Sequence, residues 1–313
     1  MQVHYGLDKE FDIRNPVITT GSFDGVHIGH KTILNRLRRL AKEVDGESVL
    51  ITFHPHPRKI LYPQTSGRDL KLINSQSEKI KLLKTTRLDH LIVVNFTLEF
   101  SQMSSADFIR KILAGKLKAR KVVVGFNHHF GHNREGDYEY LYELGKYFNF
   151  DVEEIPHQDI DNETVSSTKI RKALKEGNIQ RANAYLDHHY IIRGRLVKGD
   201  PWLLSKGFPT LRMPVEEDTK LIPPDGIYAV HLISGNKYYR GMIKISRLPE
   251  LTGGASGEAG LELHLFEYNN NLAGEMATVF FHKRIRDDSI FNNGCDIIEE
   301  LEEAREETEE LIY

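Results

Sequence analysis

The chain has 313 residues, 40% hydrophobic and 28% charged, which accommodates two globular domains and excludes a disordered or helix-spanned membrane protein. A formal net charge of −3 gives no basis for nucleic acid or a lipid surface as the main partner. The single cysteine, Cys295, excludes an intrachain disulfide or a thiolate metal cluster and fits a reducing cytoplasm.

Met1 to Arg14 mixes charged and apolar residues and holds no apolar core of signal-peptide type. Pro16–Thr20, Ser48–Phe53, Leu91–Phe96 and Lys121–Phe126 are rich in Val and Ile and predict buried strands, with Asp151–Ile155 as one more. Between them, Lys31–Val44 sets Ile33, Leu34, Leu37, Leu40 and Ala41 on one helical face. Glu78–Leu83 and Ala106–Leu117 predict further helices, the second capped by Ser104 and Ser105. Ser166–Leu174 predicts a helix with serines at its start. Strands alternating with helices imply an α/β fold: a parallel sheet, helices on both faces, and ligands at the carboxyl ends of the strands.

From about Asp187 the pattern changes. Tyr190–Val197, Ile227–Ile233, Tyr238–Ile245, Leu261–Phe266 and Met276–Phe281 predict strands separated by turns such as Pro223-Pro224-Asp225-Gly226. That pattern predicts a smaller antiparallel β-barrel. The Glu-dense segment Ile297–Ile312 predicts a solvated closing helix. The expected domains are 1–187 and 188–313.

The segment most informative about chemistry is Gly21-Ser22-Phe23-Asp24-Gly25-Val26-His27-Ile28-Gly29-His30, between the first strand and the first helix. Its glycines permit tight turning and close approach of a ligand, and the free amides of a helix start favour an anion. His27 and His30 can then donate hydrogen bonds where charge builds up as a phosphoanhydride breaks. Pro55 and Pro57 stiffen the chain after a strand, where Phe53 can meet a flat ring. Asn127 can read a ring edge or cap a turn. Ser166, Ser167 and Thr168 suit helix capping, and with Arg171 they also suit an anion. Trp202 fits either ring binding or packing. His54, His56, His128, His129 and His132 have no helical ligand pair, so zinc is not expected.

The Gly21–His30 segment resembles the His-x-Gly-His signature of nucleotidyltransferases. Its extended form resembles the bacterial bifunctional riboflavin kinase/FMN adenylyltransferase (FAD synthetase) family. Three further elements are similar to that family's motifs: Thr52-Phe53-His54-Pro55-His56-Pro57-Arg58, Val124–Gly131 with Arg134–Asp137, and Val165-Ser166-Ser167-Thr168-Lys169-Ile170-Arg171. The resemblance implies AMP transfer from ATP to FMN, with His27, His30 and Arg171 catalytic. It implies Gly21, Phe23, Asp24, Gly29, Ser166, Ser167 and Thr168 as ATP contacts. Phe53, Pro55, His56, Pro57 and Asn127 become flavin contacts, with Mg²⁺ as cofactor and ATP and FMN as substrates.

The second half resembles the family's kinase module through Gly194–Gly199, Gly207–Thr210, Pro224–Tyr228 and Glu262-Leu263-His264. The resemblance implies Glu262 as base toward riboflavin and Thr210 as a Mg²⁺ ligand. Three elements depart from it. Pro209-Thr210-Leu211-Arg212 stands for Pro-Thr-Ala-Asn, Leu203-Leu204 for a Gly-Arg pair, and Ile245–Glu250 for Ile-Gly-x-x-Pro-Thr. Glu262 therefore reads equally as a strand-end carboxylate with no reaction to serve. The expected activity is a cytoplasmic FAD synthetase whose riboflavin kinase activity is weak or lost. A complete bifunctional enzyme and a non-catalytic flavin or nucleotide binder are the alternatives.

Overall fold

The computed structural model describes residues 1–126, 129–156, 159–160, 163–247, 259–266, 272–287 and 296–311. Asn127, His128, Leu248, Pro249, Glu250 and Cys295 fall outside these. The chain forms two compact units.

The first unit comprises Met1–Leu70 and Lys79–Ser166. Its sheet contains β1 (Gln2–Tyr5), β2 (Val17–Thr20), β3 (Ser48–His54), β4 (His90–Asn95), β5 (Lys121–Gly125) and β6 (Asp151–Ile155), in the order β1-β4-β3-β2-β5-β6. Every pairing is parallel. The central strands β2 to β5 are mainly apolar on both sides because both faces are covered. Ile18, Val49, Ile51, Ile92 and Val122 point to one core with Ile109, Ile112 and Leu113. Their neighbours Val17, Leu50, Leu91 and Val123 point to the other, with Leu34, Leu37 and Leu83. The chain runs outward from β2 through β3 and then restarts on the far side at β5, so the strand order reverses beside β2. Such a reversal opens a crevice at the carboxyl ends of the strands.

Helix α1 (Ile28–Glu43) starts three residues before its apolar periodicity and buries Leu34, Leu37, Leu40 and Ala41. Next come α2 (Pro57–Leu61), α3 (Gln76–Thr85), α4 (Leu98–Ser101) and the turn α5 (Ser105–Asp107). The helix expected over Ala106–Leu117 is a wide π-helix across Phe108–Lys116. It still buries Phe108, Ile109, Ile112 and Leu113, so apolar spacing located the segment without resolving its pitch. Helix α6 (Tyr138–Phe148) and the short ribbon of β7 (Asp159–Ile160) and β8 (Glu163–Thr164) also belong to this unit.

The second unit comprises Lys71–Glu78 and Ser167–Tyr313. It holds α7 (Ser167–Lys175), α8 (Ile179–Leu186) and α9 (Pro201–Ser205), with α10 (Asp296–Leu311) at the end. Its antiparallel sheet is built from β9 (Tyr190–Arg195), β10 (Val197–Lys198), β11 (Leu211–Arg212), β12 (Gly226–Ser234), β13 (Lys237–Ser246), β14 (Gly260–Leu265) and β15 (Met276–Asp287). Their order is β10-β11-β14-β13-β12-β15-β9, so the two edges, β9 and β10, are consecutive in the chain. The sheet curls into a half-barrel, and Leu301 and Ala304 of α10 pack on Ile227, Met242 and Phe266. β15 runs six residues beyond the expected Phe281, pairing with β12 through two register shifts.

One histidine cluster in this unit makes its stability depend on pH. Nδ1 of His231 lies 2.7 Å from Nε2 of His282, and the His189 ring is 4.3 Å from that of His282. Burial first, and neighbouring imidazoles second, lower His231 and His282 from 6.5 to about 4. Between those values the unfolded chain binds protons that the folded chain does not. The stability from neutral His231 and His282 is therefore complete above pH 6.5 and lost as pH falls through about 4. Urea unfolding followed by the fluorescence of Trp202 should show this acid loss, and His282→Gln should flatten it. Equal slopes in the two proteins would remove the histidines as its cause.

Candidate active site

The backbone between β2 and α1 is held in a conformation few residues adopt. Phe23 and Val26 have φ of 49° and 44°, and Gly25 has 92°. A left-handed Val is costly because its branched Cβ crowds the backbone, and such strain collects where a ligand is gripped. Gly21, by contrast, is not left-handed. A Cβ there would come within 3.1 Å of the Phe23 ring. At Gly29 an added Cβ would make only ordinary contact with the His27 ring at 3.4 Å, so internal packing does not require glycine there.

His27 is the N-cap of α1, and its side chain makes no capping bond. No acidic residue occupies the first turn of α1, which leaves the positive end of the helix for an outside anion. His27 is 7% exposed, and its ring stacks on His30 at 3.6 Å between centroids. Phe23 is 3% exposed and backs the other side of His30 at 4.4 Å. Phe23 thus supports a histidine from the core. Asp24 is buried beside it. Burial, then His27, then Lys79 push the pKa of His30 well below the usual imidazole value. Nδ1 of His30 is buried with no hydrogen-bond partner, a state that calls for a functional reason.

Lys79 had no signal in the sequence, since a lysine on an amphipathic helix ordinarily faces water. Here it is 8% exposed, and its Nζ donates to Ser22 O at 3.3 Å and Thr52 Oγ1 at 3.2 Å.

Beyond the end of β3, the His54–Pro55 peptide is cis. Pro57 opens α2, and the His56 ring accepts a hydrogen bond from Arg58 N at 3.2 Å. Phe53 is half-buried against Phe96 and Phe100, with centroids 5.5 and 6.0 Å away. Ser166 ends the first unit, while Ser167, Thr168 and Arg171 belong to α7 in the second. Ser167 and Arg171 share a helix face, being four residues apart.

In the second unit the two kinase-like residues meet. Thr210 Oγ1 donates to Glu262 Oε1 at 2.7 Å, and the same oxygen accepts from Asp200 N at 3.1 Å. Gly199 is required here: a Cβ would fall 2.2 Å from Thr210 Oγ1. Arg212 and Glu262 are cross-strand partners on β11 and β14. The guanidinium lies 3.9 Å from Asp200 Oδ2 and 4.0 Å from Glu262 Oε1. These residues line a cavity of about 90 Å³ together with Trp202, Met242 and His264. Burial lowers the His264 pKa against the opposing pull of the Pro209 carbonyl, 2.9 Å from its Nδ1. Among the described residues, no group of three or more His, Cys, Asp or Glu side chains is placed to hold a metal ion.

Two family models match the chain: FAD synthetase over residues 9–169 and riboflavin kinase over residues 186–312. A Buchnera aphidicola protein named bifunctional riboflavin kinase/FMN adenylyltransferase is 32% identical, covering 92% of this chain and 91% of its own. Proteins of the same name from Listeria monocytogenes and Escherichia coli are each 30% identical. The first alignment covers 96% of this chain and 93% of the relative, the second 88% and 86%. A solved structure described as a macrolide-efflux protein from Streptococcus pneumoniae superposes with a TM-score of 0.85 at 26% identity, covering 97% of both chains. That match contributes the fold. No described helix of this chain is long and apolar enough to cross a membrane.

Proposed function

The chain belongs to the bifunctional riboflavin kinase/FMN adenylyltransferase family, and on that footing we propose that residues 1–187 transfer AMP from ATP to FMN while residues 188–313 act on riboflavin. The observation that carries the first part is the stacked pair of buried His27 and half-buried His30 at the uncompensated N-terminus of α1. An FMN phosphate oxygen attacks the α-phosphorus of ATP, and the bond to the bridging oxygen breaks with its electrons leaving on pyrophosphate. The attacking phosphate is already ionised at neutral pH, so no general base is required. His27, His30 and the first amides of α1 donate to the oxygens where charge develops. Arg171, with Ser166, Ser167 and Thr168, pairs with the remaining ATP phosphates. The flavin side is assigned to Phe53, Pro55, His56, Pro57 and Asn127. Mg²⁺, arriving on the ATP phosphates, supplies further charge neutralisation when bound. Substrates of this kind support a cytoplasmic location.

For the second half, the relatives' names and the riboflavin kinase match favour phosphorylation of riboflavin, with Glu262 as base. A second reading, in which this step is weak or lost, is favoured by Arg212. As the side chains stand, the Thr210, Asp200 and Glu262 oxygens do not fit Mg²⁺, because a guanidinium already lies within 4.0 Å of both carboxylates. Incubating the protein with ATP, Mg²⁺ and either FMN or riboflavin, then separating the flavins, tests both halves. FAD from supplied FMN is the expected result, and its absence would remove the adenylylation reading. Comparable turnover of riboflavin establishes the complete bifunctional enzyme. A riboflavin reaction that is slow in the native protein and rises at least about tenfold in Arg212→Asn establishes the second reading.

A further inference from the structure

The Gly21–His30 segment is not held by its own residues alone. Thr52, at the carboxyl end of β3, donates its hydroxyl to Ser22 O at 3.1 Å. Lys79 joins the same two groups from α3, bonding Ser22 O at 3.3 Å and Thr52 Oγ1 at 3.2 Å. Three elements therefore converge on one ammonium: the loop after β2, the end of β3, and α3. Lys79 is 8% exposed, and after burial and His27 its charge is a further cause that disfavours protonation of His30.

We propose that Lys79 is a positioning residue of the adenylyl-transfer site, tying the strained Gly21–His30 segment to the end of β3 and setting a fixed positive charge beside His30. The inference rests on the adenylylation reading and adds to it a residue outside the motifs that carry the resemblance.

The arrangement has a physical purpose. The His27 and His30 rings stack at 3.6 Å, so two imidazolium ions there would repel strongly. Burial first, then His27, then the Lys79 cation disfavour the protonated form of His30 while the site is empty of phosphate. An entering polyphosphate reverses the sign of the local field, since each of its charges opposes that of Lys79. His30 then gains proton affinity when the anion it must stabilise is in place. The bond to Ser22 O also restrains the turn next to Phe23, whose ring backs His30. Lys79 thus acts on His30 through charge and through the position of the loop.

The test compares the full-length native protein with Lys79→Gln, which keeps hydrogen-bonding capacity without charge, and Lys79→Arg, which keeps the charge. Titration of His30 is followed by NMR of ring-labelled histidine, with the resonance assigned by its loss in His30→Gln. FAD formation from FMN and ATP is measured on the same preparations. In Lys79→Gln, His30 should titrate at least about one pH unit higher, a tenfold change in proton affinity. FAD formation should fall at least about tenfold in Lys79→Gln, with Lys79→Arg recovering most of both effects. An unmoved His30 titration in Lys79→Gln overturns the proposal even if turnover drops, because a merely structural lysine would also lower turnover. A native protein that makes no FAD would overturn the adenylylation reading itself.

Discussion

Replacing His30 with Ala is expected to lower FAD formation from FMN and ATP by at least about 10²-fold, the loss typical of one preorganised donor to developing phosphate charge. The case starts from a ring with little structural reason to be a histidine. Phe23 and His27 flank it on its two faces, at 4.4 and 3.6 Å, and Nδ1 is buried without a hydrogen bond. A phenylalanine would satisfy that packing without the cost of a buried polar atom. The polar ring is worth keeping only if something enters to bond it, and the open N-terminus of α1 sets that something as an anion. His27→Ala should act in the same direction. Loss of ring stacking could weaken the fold, so near-native urea unfolding of each variant is part of the measurement. Two well-folded variants turning over at near-native rates would remove the site assignment.

Lys220→Met is expected to destabilise the second unit by about 3–5 kcal/mol, the range for stranding one charge of a buried pair. The Lys220 and Glu78 side chains are 2% and 1% exposed, and they meet at 2.7 Å. Lys220 Nζ also donates to Ile73 O at 2.6 Å and Ile191 O at 2.8 Å, and lies 4.3 Å over the Tyr190 ring. Glu78 in turn accepts from Ser75 N at 2.9 Å and Arg193 N at 2.8 Å. Every bond of this set lies inside the second unit, and together they tie the Lys71–Glu78 segment to Lys220, Ile191 and Arg193. Removing the lysine leaves a carboxylate in the core with only amide donors. Adding Glu78→Gln removes that stranded charge, so the double variant should recover part of the loss. Urea unfolding monitored at Trp202 measures all three proteins. A single variant within about 1 kcal/mol of native, with no gain from the second change, would reduce the pair to an ordinary surface contact.

The buried strands were legible because both faces of a parallel sheet are covered, which makes Leu91–Val94 and Val122–Val124 continuous apolar runs. The catalytic segment was legible for a different reason: glycines, a helix start and two histidines fall together within ten residues of chain. Strand β1 escaped because Gln2–Tyr5 is short and half polar, and it acquires its role only by pairing with β4. Helices α6 and α8 also escaped. Their signals were the caps Asp137 and Asn178 at one end and left-handed Asn149 and Asp187 at the other, around faces that bury Leu141 in α6 and Ile179, Ala182 and Leu186 in α8.

The sequence by itself determined the central strands and α1, the parallel and antiparallel halves, and the neighbourhood of His27 and His30. Each depends on residues close in the chain, where spacing and turn chemistry act directly. Tertiary structure alone decided that Arg212 stands between Asp200 and Glu262, and that Lys79 and Lys220 are buried. These depend on which distant segments share a desolvated space. A lysine reads the same in sequence whether it faces water or a carbonyl, because its surroundings come from residues far along the chain. Lys79 meets Thr52 from 27 positions away, and Lys220 meets Glu78 from 142.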